Sequence, residues 1–455
     1  MIAMRNISVF LIAASSLLGC NLEEINENPN VPSDAPLSTL LPPSQKQLAD
    51  VQGGRIYRYT GIFGNQLTGD EGQELLIQNY QPDELFVGNA WSDLYTGALL
   101  NLRIIIDRAS EESPHYAGIA RILMAQGIGM CTDIWGDVPY SQALRGSEFP
   151  HPVYDPQEEI YAAVFALLDR AVSDLEQENS AFSPGADDLM YGGDLNRWKV
   201  AANVLRARYI MRTLKRNANA PAEALEALNG MRFQSPGDDL AYPYLGQGDD
   251  TNPIGGFYNI TPLAFVSQSF RDLLSDLNDP RQSSIFRTIP FSGGNRRPGD
   301  YFAGAAAPVR LISYTEQEFI RAEALLRTGD PAGAEDVLRG AVLTSMAEIS
   351  DGAIESAEAD AYLDSHVRLD GSESENLNTL LTQKYIAMFT TIEPWTDFRR
   401  TGYPELTPNP NGPTSANPNG EIPRRLIYPQ SERLRNNNFP QPAPNMQTRF
   451  WWDQD

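Results

Sequence analysis

Disulfide bonds cannot hold this chain together, because its 455 residues contain two cysteines, Cys20 and Cys131. If Cys20 is spent elsewhere, Cys131 has no partner within the chain, and the fold must rest on packing alone. Histidine is nearly as scarce. His115, His151 and His366 have no metal-ligand spacing to one another or to Cys131, so no metal site is expected. Only Lys46, Lys199, Lys215 and Lys384 are lysines; the other basic residues are arginines, which favour fixed, bidentate pairing. No Lys/Arg-rich tract offsets the formal net charge of −24, which excludes nucleic acid as a partner and disfavours a polyanionic ligand. Excess acid with scarce lysine is also what salt adaptation would produce. After Leu18 no apolar run approaches membrane-spanning length. The best stretch, Ala98 to Ile106, is broken by Asn101 and Arg103. Catalytic motifs are missing too: there is no Gly-x-Ser-x-Gly, no Walker loop, no Gly-x-Gly-x-x-Gly and no Asp-x-Asp-x-Asn-Gly calcium loop. No cofactor or catalytic residue is therefore expected.

The N-terminus, by contrast, is informative. Arg5 precedes the apolar segment Val9 to Leu18, which is too short to cross a bilayer, and Leu17-Leu18-Gly19-Cys20 follows the pattern of a lipoprotein signal. Residues 1–19 read as a signal peptide and Cys20 as the lipidated first residue of the mature chain. Residues 20–38 read as a flexible tether rich in Asn, Glu, Pro and Ser, with Glu23 and Glu24 directly behind the anchor.

From there on, helical periodicity dominates. Trp91, Leu94, Tyr95, Ala98, Leu102, Ile105, Ile106 and Ala109 recur at steps of three and four, which predicts a helix over Asn89 to Ala109 with Asn89 as its cap. Tyr116, Ile119, Leu123, Met130, Cys131 and Ile134 form a second stripe that ends at Gly136; within it Gly127-Ile128-Gly129 reads as packing and Cys131 as a core thiol. Asp155-Pro156-Gln157-Glu158 predicts a capped start with Pro at the first position, and a further helix spans Asn196 to Leu214, with a short one beginning near Pro221. Thr315-Glu316-Gln317-Glu318 has the spacing of a capping box for a helix that runs to Arg327, and Asp330-Pro331 opens the next. This pair, Thr315 to Leu343, has tetratricopeptide size, and such units must stack to bury their faces. Another helix runs from Leu377 to Met388. Between about 231 and 308 the periodicity thins while Gly, Pro and aromatics accumulate, as in Gly255-Gly256-Phe257-Tyr258, and residues 404–455 are rich in loop formers.

Several segments together resemble the SusD-like (SusD/RagB) family of nutrient-binding outer-membrane lipoproteins. They are Trp91-x-x-x-Tyr95 with Asn101; Asp133-Ile134-Trp135-Gly136-Asp137-Val138-Pro139-Tyr140; Arg197-Trp198-Lys199 through Ala207-Arg208; Ser313-Tyr314-x-Glu316 with Ala322-Glu323-Ala324; Gln383-Lys384-Tyr385; Trp395-x-Asp397-x-Arg399-Arg400-Thr401-Gly402-Tyr403-Pro404; and Arg425-Leu426-Ile427-Tyr428-Pro429-x-x-Glu432. The resemblance implies an all-α fold of stacked tetratricopeptide-like helix pairs with long irregular loops, forming one domain over 39–455. It also implies a lipid-anchored, surface-exposed position on the outer membrane, with Glu23 and Glu24 resembling the family's export signal. The partner implied is a SusC-like TonB-dependent transporter, over which the protein would sit as a lid. The ligand would be an oligosaccharide or a peptide, captured at a largely preformed site before hinge-like closure on the barrel.

Within that picture, aromatic faces to cover sugar rings and polar groups to hold hydroxyls point to Asn65, Asp70 and Trp91, with Tyr258, Tyr301 and Arg310 from the irregular part. Asp397 beside Arg399 and Arg400 reads instead as a structural pair. Two other readings compete: a surface glycoside hydrolase with two carboxylates, and a helical-repeat scaffold that binds only proteins.

Overall fold

Apolar periodicity becomes helix wherever a face can be buried. The computed structural model describes residues 35–260, 263–289 and 294–454; Cys20, Glu23, Glu24 and most of the tether lie outside them. Helices α1 (Leu37–Asp50) and α2 (Tyr57–Phe63) are joined by a π-helical turn, Val51–Ile56. Strand β1 (Leu67–Gly69) and helix α3 (Gly72–Gln78) follow. A second α–π–α run consists of α4 (Glu84–Ser92), the π segment Asp93–Leu99 and α5 (Leu100–Ala109). Helix α6 (Pro114–Trp135) packs along α7 (Gln157–Leu175), and α8 (Leu195–Arg212) along α9 (Ala220–Ala227).

Short pieces come next: β2 (Leu240–Tyr242), α10 (Pro253–Ile260), β3 (Ala264–Val266), α11 (Gln268–Asp276), α12 (Gln282–Ile285), β4 (Phe286–Thr288), β5 (Arg296–Pro298), α13 (Asp300–Ala303) and β6 (Val309–Ile312). Their strands pair antiparallel as β1–β3, β2–β6 and β4–β5. Helices then resume with α14 (Tyr314–Arg327), α15 (Pro331–Ser350), α16 (Ser356–His366), α17 (Glu373–Ala387) and α18 (Glu393–Thr401), and α19 (Gln430–Arg435) follows a long coil. Ala322, Leu338, Leu363 and Leu380, one from each of α14 to α17, share one apolar core. No helix among the described residues is long and apolar enough to cross a membrane.

The structure corrects several helix starts, each for the same reason: a nearby acceptor outcompetes the expected cap. Helix α4 begins before Asn89, because the Asp83 carboxylate accepts from the Leu85 N–H at 2.7 Å. Ser313, not Thr315, caps α14, accepting from Glu316 N–H at 3.1 Å. Glu316 does not close a capping box but binds Arg208. At α7 the Gln157 N–H donates to Asp137 at 2.9 Å, while the Asp155 carboxylate takes the N–H groups of Tyr140 and Ser141. Asp194 caps α8, whose first residue, Leu195, lies one before the expected start at Asn196. Asp330 caps α15 as expected, through Gly333 N–H at 2.9 Å, and that helix runs on to Ser350.

Helix α6 is not amphipathic, for every one of its residues is buried. Gly127 permits this, since a Cβ there would lie 2.6 Å from Leu99 Cδ2. Cys131 is fully buried, 3.7 Å from the Tyr95 hydroxyl, and burial pushes its thiol up, as befits a core residue.

Charge lies at the centre. Arg208 of α8 grips Glu316 of α14 through two bonds of 2.6 Å. One turn on, Arg212 pairs with Asp133 of α6 and, at 2.5 Å, with Glu393 of α18. Arg400 of α18 holds Glu323 of α14 at 2.6 and 2.7 Å and Asp397 at 2.8 Å, and Lys384 of α17 reaches Asp397 at 2.8 Å. Arg399 leaves Asp397 alone. It stacks on Trp395, 3.5 Å from the ring centroid, and donates to the carbonyls of Asp133 and Arg424. Five helices are thus tied by one buried network.

Burial alone would raise the Glu323 carboxyl, yet Arg400 and Arg327 beside it hold it well below the usual range. Glu393 is likewise drawn down to about 2 against burial by Arg212 and Arg208. Carboxyls depressed in the folded state stabilise it fully above the ordinary glutamate range and lose that contribution as pH falls toward 2. The melting midpoint should therefore drop steeply from about pH 4.5 downward. Glu323→Gln, which strands Arg400, should cost about 3–5 kcal/mol by denaturant titration at pH 7. A midpoint flat across that acid range would contradict the network's role.

Candidate functional site

The short helix α10 has the sequence Pro-Ile-Gly-Gly-Phe-Tyr-Asn-Ile and is fixed at its first turn. Buried Asn252 accepts from the N–H groups of Ile254 and Gly255, both at 3.0 Å, and donates to the Ala307 carbonyl at 2.9 Å. Underneath, Gly54 in the first π-helical turn leaves room for Pro253, where a Cβ would stand 2.8 Å from the proline ring. The far end of α10 then carries Phe257 and Tyr258 on two sides, their rings edge to face with centroids 5.3 Å apart.

On the Phe257 side lies an open groove of about 410 Å³ whose walls are Arg58, Gln73, Glu74, Phe86, Ile260 and Leu263. The Arg58 guanidinium sits 4.6 Å from the Phe257 centroid and bonds Glu74 at 2.6 Å. Gln73 donates to the Tyr59 hydroxyl at 2.9 Å, a phenol that burial pushes up to about 12 against the pull of Arg58. Phe86 is 45% and Ile260 84% exposed, so apolar surface faces solvent beside fixed polar groups. Volumes of roughly 300–1,000 Å³ are typical of ligand sites.

On the Tyr258 side a second pocket, about 380 Å³, is lined by Tyr258 and by Arg287, Thr288, Ile289 and Arg297 on or beside strands β4 and β5. Tyr258 is only 7% exposed, and its buried hydroxyl has no hydrogen-bond partner among the described residues. Burial raises its pKa far above the ordinary phenol range, against the nearby cations Arg297 and Arg58. Arg287 pairs with Asp300, whereas Arg297 forms no ion pair among the described residues.

These surfaces can hold a ring by its apolar face and its hydroxyls by directional bonds. Glycosidic cleavage uses a pair of carboxylates. Glu74 is the single carboxylate lining either pocket, and it is held by Arg58. Among the described residues no cluster of His, Cys, Asp and Glu has the composition of a metal site.

The six residues expected from sequence are spread over five places. Tyr258 lies in the second pocket. Asp70 is exposed and extends the β1–β3 ladder, its N–H donating to the carbonyl of the groove residue Leu263 at 3.0 Å. Asn65, in a left-handed conformation (φ 57°), donates to the Thr407 carbonyl at 2.8 Å and so secures a loop. Trp91 belongs to the core: 6% exposed, it stacks on Tyr95 at 4.7 Å and meets Trp135 edge-on at 5.1 Å. Tyr301 and Arg310 do meet, 4.5 Å from ring to guanidinium, but in an internal cleft with room for about 50 Å³, enough for water and too small for a sugar. There Arg310 bonds Asp239 at 2.8 Å, a carboxyl that burial lifts to about 6 in spite of that arginine. Sequence reasoning missed Phe257, Phe86, Arg58, Gln73 and Glu74. The signal for Phe257 was present, since it belongs to the aromatic run beside Tyr258; the others sit on helices whose pattern reads as ordinary surface.

The match to known proteins covers most of the chain. A SusD-like family model, described as "Starch-binding associating with outer membrane", matches residues 29–429. A SusD/RagB family structure from Bacteroides thetaiotaomicron is similar at 25% identity, with 92% of this chain and 99% of that chain covered and a TM-score of 0.77. A chitin-binding SusD homologue from Flavobacterium johnsoniae shares 24% identity over 92% of this chain and 99% of its own, at a TM-score of 0.79. Another SusD homologue from Bacteroides thetaiotaomicron superposes at 0.75 with 22% identity, covering 93% of this chain and all of the other. No curated protein sequence matches.

Because the Tyr258 hydroxyl is buried without a partner among the described residues, Tyr258→Phe should leave the melting midpoint unchanged or raise stability by up to about 1 kcal/mol. A clear fall in the midpoint would mean that the hydroxyl is engaged in the free protein.

Proposed function

The chain belongs to the SusD-like family, and from that premise we propose that it is a surface lipoprotein that captures a glycan in the groove over Phe257 and Phe86 and hands it to an outer-membrane transporter. The observation that carries this reading is the pairing of solvent-facing aromatic surface with fixed polar groups: Phe257 beneath the Arg58 guanidinium, with Phe86, Gln73 and Glu74 lining the same groove. The family description as starch-binding and the chitin-binding relative support a sugar over a peptide. Lipidation at Cys20, with Glu23 and Glu24 as export signal, would place the body at the cell surface, and a SusC-like TonB-dependent barrel is the partner this reading implies. Glu74, alone and held by Arg58, supports capture without turnover.

Isothermal titration against starch- and chitin-derived oligosaccharides, together with a panel of other glycans, tests the reading. Phe257→Ala and Phe86→Ala should each weaken the best ligand roughly 10-fold at unchanged melting midpoint. Trp91→Ala should instead destabilise the fold by about 3–5 kcal/mol. Full affinity in both phenylalanine variants, or release of reducing ends from the bound glycan, would contradict it.

A further inference from the structure

Tyr258 and Arg297 are two donors without an acceptor side chain among the described residues. The phenol is buried, keeps its proton because burial opposes its ionisation, and finds no partner among the described residues. Arg297 lines the same pocket, and no described carboxylate pairs with it, although the chain carries 59 acidic residues against 35 basic ones. A second cation, Arg287, lines the pocket too, tied to Asp300. An unsatisfied buried donor is costly and an unpaired guanidinium invites a bidentate oxyanion, so both are explained by a ligand group that only accepts. The pocket adjoins the groove, because Phe257 and Tyr258 are neighbours whose rings touch, and each lines one of the two.

Resting on the glycan-binding reading above, we propose that the Tyr258–Arg297 pocket is a subsite for a sugar that carries an acidic substituent, a uronic carboxylate or a sulfate ester. Thr288 at the pocket wall supplies a hydroxyl for the rest of that sugar. The net charge of −24 sets the other limit: a densely charged polymer is repelled by the body as a whole, so the ligand carries its acid groups sparsely along an otherwise neutral chain. Binding would weaken with salt in proportion to the few charges paired.

The test is a glycan array of neutral, uronate-bearing and sulfated oligosaccharides, probed with the wild-type protein, Arg297→Gln and Tyr258→Phe, followed by titration of the best acidic ligand and its uncharged counterpart. The wild type should prefer the acidic member by about 10-fold or more. Arg297→Gln should erase that preference and leave the neutral counterpart unaffected, while Tyr258→Phe should weaken the acidic ligand at unchanged melting midpoint. Whether uronates or sulfates respond identifies the oxyanion. Equal affinity for acidic and neutral glycans, or a preference untouched by Arg297→Gln, overturns the subsite and leaves glycan capture standing. Binding of no glycan at all overturns both.

Discussion

The buried charge network between α6, α8, α14, α17 and α18 is the constraint on which the rest of the structure depends. Arg208, Arg212, Lys384 and Arg400 meet Asp133, Glu316, Glu323, Glu393 and Asp397 in a place from which water is largely excluded. Such groups are costly to desolvate and become tolerable only when each finds its counter-charge in a fixed direction, so they dictate helix register more sharply than apolar contacts can. Arg208 and Arg212, one turn apart on α8, reach α14 on one side and α6 and α18 on the other. An error of one residue in any of these helices would leave a charge alone in the core.

With the helical body fixed in this way, the short pieces can hold a site without being rigid themselves. Asn252 gathers the start of α10 and the Ala307 carbonyl, Gly54 lets Pro253 approach the first π-helical turn, and β1–β3 carries Asp70 to the groove edge beside Leu263. The body supplies Arg58 from α2, Gln73 and Glu74 from α3 and Phe86 from α4. The irregular part supplies Phe257, Tyr258 and the β4–β5 arginines. The candidate site is therefore a seam between the two parts, with Phe257 and Arg58 on one side of α10 and Arg287 and Arg297 on the other.

How far this was legible follows from what each residue answers to. Helices announce themselves through periodicity, and most were placed within a few residues; their caps were harder, because Asp83, Asp137 and Ser313 outcompeted the nearer candidates Asn89, Asp155 and Thr315. Helix α6 showed a stripe in sequence but is buried all round, since its remaining positions are small, apolar like Ile122, Ile128 and Trp135, or, like Asp133 and Arg121, paired in the interior. Trp91 drew attention as an aromatic and lies in the core, whereas Phe86, on the same helix, faces the groove. Nothing in the local pattern separates the two roles. Arg58 and Glu74 are sixteen residues apart and become a site only through the tertiary fold.

The scarcity of lysine and the acidic balance now have a local counterpart. Arginines serve as fixed partners in the core, whereas Arg297 forms no ion pair among the described residues. The central claim is that ligand lies along both sides of α10. Hydrogen exchange with and without a saturating bound glycan tests it most directly. The account predicts slowed exchange in residues 72–90, 253–260, 286–289 and 294–298, and no change around the Tyr301–Arg310 cleft. Protection confined to that cleft, or to the helical face remote from α10, would contradict it.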